Sequence, residues 1–205
     1  MMHRLKLHSL AYPVTALGPG QRVVLWVTGC SLNCKHCISP ELRDKNAGQW
    51  IETQRLYQHL CKLPEDLDGI SLSGGEPFEQ ALALAKLLQL LQAARPQWNV
   101  LVFSGYPLKH LKQQENARQL LAYVDILVDG PYAYQQPGNH PLAASGNQQL
   151  HYLTPRGLTL RAACEKLPLN AANLGVGNSP QQRLIGILDP ATRARLLRVW
   201  QLKPA

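Results

Sequence analysis

The sequence predicts an α/β fold in which parallel β-strands alternate with α-helices. Two observations lead to this prediction. Short β-like runs are separated by longer segments with helical periodicity, and each run ends in a loop that contains glycine and polar residues. The runs lie at 23–27, 70–73, 100–103 and 124–128. Such alternation is typical of βαβ units, in which helices pack on a parallel sheet.

Three helices are predicted between these strands. The first covers 53–62, with Thr53 as its N-cap and leucines at helical spacing. The second covers 79–95, is rich in Ala, Leu and Gln without Gly or Pro, and is ended by Pro96. The third covers 108–123, directly after a proline, which is a favourable residue in a first helical turn.

The C-terminal third is predicted to be less regular. The segment 131–157 is rich in Pro, Gly, Gln and Asn, and it predicts a long loop with one strand near 149–153. A last helix is predicted at about 189–201. No internal repeat or linker is evident, so residues 1–205 are predicted to form a single domain.

Composition indicates a globular protein, with 45% hydrophobic and 17% charged residues. The longest apolar runs are about five residues, whereas a membrane helix needs about 20. No secretory signal pattern is seen, and we therefore expect a cytoplasmic protein with no membrane partner. The formal net charge of +8 favours anionic partners, but the positive residues are dispersed, so a solvated basic helix is favoured over nucleic-acid binding.

Three cysteines, Cys30, Cys34 and Cys37, lie on the loop after the first predicted strand. Three thiolates on one short loop can hold three corners of a four-iron cluster and leave the fourth iron without a protein ligand. An open metal position is where chemistry occurs, in contrast to a closed structural site. The two remaining cysteines, Cys61 and Cys164, are isolated and are predicted to be ordinary thiols.

A structural zinc site is the alternative interpretation of these cysteines. Together with His36 or a distant histidine they could form a Cys₃His site. Such sites usually divide their ligands into two separated pairs, and the sequence contains no second pair. His36 lies between two of the cysteines, where ligation of the same metal would strain the loop. A redox cluster is therefore favoured.

The four predicted strands end in loops that should meet at one edge of the sheet, because ligands of parallel α/β sheets bind at the carboxyl ends of the strands. Glycine allows close approach of the backbone to a ligand, and the polar neighbours supply donors and acceptors. The loops are Thr28-Gly29-Cys30, Gly74-Gly75-Glu76-Pro77, Ser104-Gly105-Tyr106 and Asp129-Gly130-Pro131.

Two of these segments resemble the signatures of the radical S-adenosylmethionine superfamily. Cys30-Ser-Leu-Asn-Cys34-Lys-His-Cys37 is similar to its cluster motif, and Ser73-Gly74-Gly75-Glu76-Pro77 to the segment that binds the methionyl amino group. Further segments resemble the activating proteins of anaerobic ribonucleotide reductase and related single-cluster proteins. These are Gly18-Pro19-Gly20-Gln21-Arg22, Ser39-Pro40-Glu41, Phe103-Ser104-Gly105-Tyr106, and the run from Tyr123 to Gly130.

The resemblance implies a partial, open (β/α) barrel of parallel strands with flanking helices. It covers about 12–153 and leaves an irregular extension at about 155–205. It also implies that Cys30, Cys34 and Cys37 bind a 4Fe–4S cluster, whose fourth iron is chelated by S-adenosylmethionine. An electron from a flavodoxin or ferredoxin would cleave the sulfonium to methionine and a 5′-deoxyadenosyl radical. The residues implied in binding S-adenosylmethionine are His36, Gly74, Gly75, Glu76, Pro77, Ser104, Tyr106, Asp129 and Asn147.

Three functions are compatible with the sequence. The first is an activating enzyme that generates a glycyl radical on a large partner enzyme, because an incomplete barrel leaves one side open to a macromolecule. The second is radical modification of a peptide or small metabolite, because relatives tend to carry Arg-Gly-Ser before the Asn-Gln pair where this chain has Ala143-Ala144-Ser145-Gly146. The third is a non-catalytic metal module that binds nucleic acid, for which steep salt dependence is expected.

Overall fold

The computed structural model describes residues 3–176 and 182–199. Within these residues the strands are β1 (Arg4–Val14), β2 (Arg22–Val27), β3 (Gln49–Glu52), β4 (Gly69–Gly74), β5 (Asn99–Phe103), β6 (Ile126–Asp129), β7 (Pro137–His140), β8 (Ala143–Ser145), β9 (Gln149–Tyr152), β10 (Asn173–Val176) and β11 (Gln182–Ile185). The helices are α1 (Thr53–Leu60), α2 (Ala81–Ala94), α3 (Leu108–Leu111), α4 (Glu115–Leu121), α5 (Pro155–Thr159), α6 (Arg161–Glu165) and α7 (Pro190–Val199). Short 3₁₀ turns cover Pro40–Arg43 and Pro77–Gln80.

A seven-stranded sheet in the order β3-β1-β2-β4-β5-β6-β9 forms the centre of the described chain. The strands β2, β4, β5 and β6 are mutually parallel, whereas β1, β3 and β9 are antiparallel to their neighbours. The four predicted strands are these parallel strands, so the α/β prediction is confirmed. The sheet has β3 and β9 at its edges and is open among the described residues, without closure into a barrel.

Side chains of the parallel strands alternate between two faces of the sheet, as the pleat requires. On β2, Val23 and Leu25 pack against the layer of helices α1, α2 and α4, and this side is the helical face. Val24 and Trp26 point to the opposite side, which we call the second face. Near-continuous apolar sequence in the parallel strands follows from burial of both faces.

Helices are present on the helical face at the three predicted places, but one predicted N-cap and the length of one helix are wrong. Thr53 is wrongly predicted as an N-cap: Glu52 holds that position, because β3 runs directly into α1 and the Thr53 amide donates to the His3 carbonyl. The single helix predicted at 108–123 is wrong, because α3 ends at Leu111 and a separate helix starts at Glu115.

The C-terminal third is more regular than predicted. The segment 131–157, predicted as a loop, contains the antiparallel pair β7 and β8 in addition to the predicted strand β9. The strand β9 is antiparallel to β6. The last helix is α7, and residues 200 and 201 of its predicted range lie outside the described residues.

The second face is covered largely by the C-terminal extension, the described residues beyond 154. Two sets of side chains from it pack on the sheet: Leu160, Cys164 and Leu167 beside Leu101, Ile126 and Val128, and Ile185 and Ile187 beside Val24 and Trp26. The hairpin of β10 and β11 is anchored at Asn173, whose Oδ1 accepts from the amides of Thr15 (2.9 Å) and Ala16 (2.8 Å). The extension is therefore an integral layer of the fold.

Arg22 is fully buried at the start of β2. Its guanidinium donates to Ser71 Oγ (2.7 Å), to Asn99 Oδ1 (2.6 Å) and to the carbonyls of Ile70 (2.8 Å) and Pro19 (3.0 Å). Burial lowers the pKa of Arg22 to about 10. The group links β2, β4 and β5 at the end of the sheet opposite the cysteine loop.

No helix among the described residues is long and apolar enough to cross a membrane.

Candidate functional site

A cavity of about 190 Å³ lies where the parallel strands end, on the second face of the sheet. The structure brings together the four loops that follow these strands. The lining of the cavity includes Cys30 after β2, Gly75 after β4, Ser104 after β5 and Gly130 after β6. The carboxyl ends of the strands therefore form one polar rim around the cavity, as expected for a parallel sheet.

The three cysteines Cys30, Cys34 and Cys37 all line this cavity. Each is partly exposed and none forms a disulfide. Burial raises the pKa of Cys30 and of Cys37, which favours the protonated thiols in the metal-free chain. Among the described residues, no three His, Cys, Asp or Glu side chains lie close enough to hold a single metal ion.

The cysteine loop is held by backbone contacts and by one carboxylate. The Gly29 amide donates to the Leu42 carbonyl (2.9 Å), which ties the loop to the 3₁₀ turn after it. Glu79 accepts from both the amide (2.7 Å) and the hydroxyl (2.6 Å) of Ser31. The Tyr106 hydroxyl lies 3.1 Å from the same Ser31 oxygen. The loop is thus positioned by the chain segments that follow β4 and β5.

Gly74 and Gly75 allow the segment after β4 to approach β2 closely. Gly74 has φ +114°, and a Cβ there would lie 2.3 Å from the Val27 carbonyl oxygen. A Cβ on Gly75 would lie 2.2 Å from the Gly29 carbonyl oxygen, beside the first cysteine. Neither position can accept a side chain without displacing backbone.

Glu76 is 1% exposed and joins the segment after β4 to the loop after β5 at the cavity rim. Its Oε1 accepts from the Phe78 amide (3.0 Å) and the Ser104 hydroxyl (2.9 Å), and its Oε2 accepts from the Gly105 amide (2.8 Å). Burial raises the pKa of Glu76 to about 7, and these three hydrogen bonds oppose the shift. The carboxylate is therefore saturated by protein donors and fixes the loop after β5.

We expect Glu76→Gln to lower the free energy of unfolding by about 1–3 kcal/mol, because an amide accepts at one terminal atom only and leaves one buried N–H without a partner. Urea denaturation at pH 8, above the pKa of this carboxyl, measures the change. Glu65→Gln is the matched control, since Glu65 is exposed, and it should change stability by less than about 0.5 kcal/mol. Equal stability of the two variants would contradict the assigned role of Glu76.

Several residues predicted to bind S-adenosylmethionine do not line this cavity. His36 is exposed and has φ +57°, and its ring lies 4.4 Å from the Tyr134 ring, centroid to centroid. Pro77 is buried at the start of a 3₁₀ turn. Tyr106 stacks on His110, with ring centroids 5.2 Å apart.

Asp129 and Asn147 organise the loop after β6 and the helix that it faces. Asp129 is buried; its Oδ2 accepts from the Leu108 amide at the start of α3, and its Oδ1 lies 3.0 Å from His151 Nε2. Asn147 donates to the Pro131 carbonyl (2.7 Å). Neither residue lines the cavity, although their neighbours Gly130 and Gln148 do.

Four residues at or beside the cavity were not identified from the sequence. Trp26, Tyr132 and Arg193 line the cavity, and Glu79 holds the cysteine loop. Glu79 lies three residues after Glu76, a local signal that could have identified it. Arg193 has no local signal, because only the packing of the extension brings α7 to the cavity.

The residues present fit a cluster that takes three thiolate ligands. Three thiols on one loop line one cavity, and none is consumed in a disulfide. Each thiolate of such a cluster binds a different iron, so the three sulfurs need not converge on a single point.

Comparison with known proteins shows the family of this chain. The model of the 4Fe-4S single cluster domain family matches residues 16–151. This chain belongs to that family, which indicates a 4Fe–4S cluster as its metal group.

The chain is also similar to three proteins that carry the name anaerobic ribonucleoside-triphosphate reductase-activating protein. The protein from Vibrio cholerae is 34% identical over 153 residues, 70% of this chain and 96% of the relative. The protein from Enterobacteria phage T4 is 32% identical over 65% of this chain and 85% of its own length. The protein from Escherichia coli K12 is 31% identical over 69% and 96%.

Proposed function

We propose that this protein is a radical S-adenosylmethionine enzyme that generates a glycyl radical on an anaerobic ribonucleotide reductase. The observation that carries the proposal is the convergence of Cys30, Cys34 and Cys37 with the ends of the four parallel strands at one cavity. Relatives named as activating proteins, at 31–34% identity, support the choice of partner.

The cysteines would each bind one iron of a 4Fe–4S cluster, which leaves one iron for the amino and carboxylate groups of S-adenosylmethionine. When bound, the cluster would supply one electron to the sulfonium, giving methionine and a 5′-deoxyadenosyl radical that takes a hydrogen atom from a glycine of the partner. The chain's own residues bind these groups, orient them and limit the access of water.

The segment after β4 would receive the methionine moiety. Gly74 and Gly75 line the cavity and offer it backbone groups only. Glu76 would act through the loops that it holds, since its oxygens already accept three protein hydrogen bonds. Pro77 would fix the turn that follows.

The remaining predicted residues would act at the adenosine side. Ser104 lines the cavity directly, and the backbone at His36 would reach the adenine from the cysteine loop. Tyr106, Asp129 and Asn147 would position the surrounding loops, given their contacts with Ser31, Leu108 and Pro131. Apolar side chains, including Trp26, Leu32 and Phe103, would keep the radical away from water.

We further propose that the four parallel strands and their helices are part of an open (β/α) barrel in one domain. The protein would act in the cytoplasm, and a flavodoxin or ferredoxin would be its electron donor. The net charge of +8 suits an acidic donor protein.

Electron paramagnetic resonance on the partner reductase tests the activating role. We expect a glycyl-radical doublet after anaerobic incubation of the reductase with the cluster-loaded protein, S-adenosylmethionine and reductant. The control omits S-adenosylmethionine and should give no doublet. Cleavage of S-adenosylmethionine without a doublet on the reductase would exclude this partner.

Modification of a peptide or small metabolite is a second candidate, and one structural observation favours it. The extension covers the second face of the sheet, and residues from it line the cavity. A covered cavity suits a smaller substrate than an enzyme loop. Mass spectrometry that detects a modified small molecule, formed in proportion to 5′-deoxyadenosine, would support this candidate over the first.

A further inference from the structure

Part of the cavity lining comes from the C-terminal extension, which lies outside the residues that the family model matches. The match ends at residue 151, whereas Ile185, Ile187 and Arg193 all line the cavity. Ile185 is buried against the sheet, which fixes the chain that leads into α7. This face of the cavity is therefore built by residues outside the 4Fe-4S single cluster domain.

Arg193 lies where two cavities meet. The first is the cavity at the strand ends, and the second lies between the cysteine loop and α7. Residues shared by both linings are Cys37, Ile38, Glu41, Tyr132 and Arg193. Arg193 and the third cysteine of the motif, Cys37, therefore line the same two cavities.

Arg193 is a partly buried residue, and its guanidinium forms no hydrogen bond or ion pair within residues 3–176 and 182–199. The carboxylate of Glu76, which lines the first of these cavities, is saturated by three protein donors. Glu41 has contacts of its own, and the ion pairs of the described residues do not join it to Arg193. A cation that loses part of its hydration on a cavity wall without an anion is unfavourable, so an anionic ligand would be a good partner for it.

We propose that Arg193 is a carboxylate-binding residue of this cavity, with the Tyr132 hydroxyl as a second donor. The planar guanidinium can hold both oxygens of a carboxylate at once. The carboxylate belongs either to the methionine moiety of S-adenosylmethionine or to a substrate bound beside it. The proposal rests on the proposed function, because it assumes that S-adenosylmethionine occupies this cavity.

Equilibrium binding to the anaerobically reconstituted, cluster-loaded protein distinguishes the two sources. Titrations with S-adenosylmethionine and with its decarboxylated analogue are compared for the wild type and Arg193→Gln. Succinate is then titrated into the S-adenosylmethionine-saturated protein as a probe for a second carboxylate. Arg195→Gln is the matched control, because Arg195 is exposed on the same helix, and Arg193→Lys tests whether charge alone suffices.

If Arg193 binds the methionine carboxylate, Arg193→Gln weakens S-adenosylmethionine binding by about tenfold or more and leaves binding of the decarboxylated analogue unchanged. If it binds a substrate carboxylate, S-adenosylmethionine affinity is unchanged and succinate binding is lost only in Arg193→Gln, with partial recovery in Arg193→Lys. Identical behaviour of Arg193→Gln and Arg195→Gln with all three ligands overturns the proposal. Wild-type protein that binds no S-adenosylmethionine would instead contradict the proposed function itself.

Discussion

We expect the Cys34→Ala variant to lose the iron–sulfur cluster and, with it, all cleavage of S-adenosylmethionine. Cys34 is the middle one of three thiols that line the cavity, and two thiolates cannot hold three irons. Changes around metal ligands typically cost 10–100-fold, so loss of a ligand itself should exceed about 100-fold. Iron and sulfide analysis after anaerobic reconstitution, together with a 5′-deoxyadenosine assay, measures both effects.

The Cys61→Ala variant is the control for this experiment. Cys61 is also a free cysteine, but it follows α1 and lies outside the cavity lining. It should retain iron, sulfide and activity. Since Cys34 is partly exposed on a loop, the metal-free Cys34→Ala chain should unfold within about 0.5 kcal/mol of the wild type. If Cys34→Ala kept its full content of iron and sulfide, the cysteine motif would not be the metal site.

We expect Arg22→Ala to lower the free energy of unfolding by about 4 kcal/mol, among the largest effects of a single substitution. The change leaves the Asn99 side chain, the Ser71 hydroxyl and the Ile70 carbonyl with unfilled hydrogen-bonding capacity in the core and opens a cavity beneath the sheet. A domain is typically stable by only 5–15 kcal/mol, so much of the stability would be lost. Chemical denaturation of the metal-free protein measures this loss of stability.

Two further variants separate the hydrogen-bond network from charge. Arg22→Lys keeps the positive charge but cannot reach four acceptors at once, so its loss should fall between those of the wild type and Arg22→Ala. Arg55→Ala removes an exposed arginine from α1 and should change stability by less than about 0.5 kcal/mol. An Arg22→Ala variant as stable as Arg55→Ala would contradict the structural role of the buried guanidinium.

The four parallel strands could be predicted because burial on both faces leaves near-continuous apolar runs in the sequence. The edge strands could not. Residues of β1 alternate irregularly and are mostly half-exposed, and β3 has one neighbour only, so neither carries a clear pattern. The break between α3 and α4 could not be predicted from the sequence either, because a three-residue interruption preserves the apolar spacing on either side.

The cysteine loop and the glycine-rich segments could be identified because their signals are local. Three thiols within eight positions, or two consecutive glycines after a strand, remain visible without tertiary structure. Contacts across the fold are different in kind. Arg193 reaches the cavity only because Ile185 packs on the second face and Asn173 anchors the preceding hairpin, and these are contacts between residues more than 150 positions apart in sequence.

The proposed function requires that the three cysteines leave one iron of the cluster available to S-adenosylmethionine. The direct measurement is product analysis of the anaerobically reconstituted, reduced protein after addition of S-adenosylmethionine. We expect methionine and 5′-deoxyadenosine in equal amounts, and neither product in the absence of reductant. A protein that holds four irons and four sulfides, accepts an electron and still leaves S-adenosylmethionine intact would contradict it.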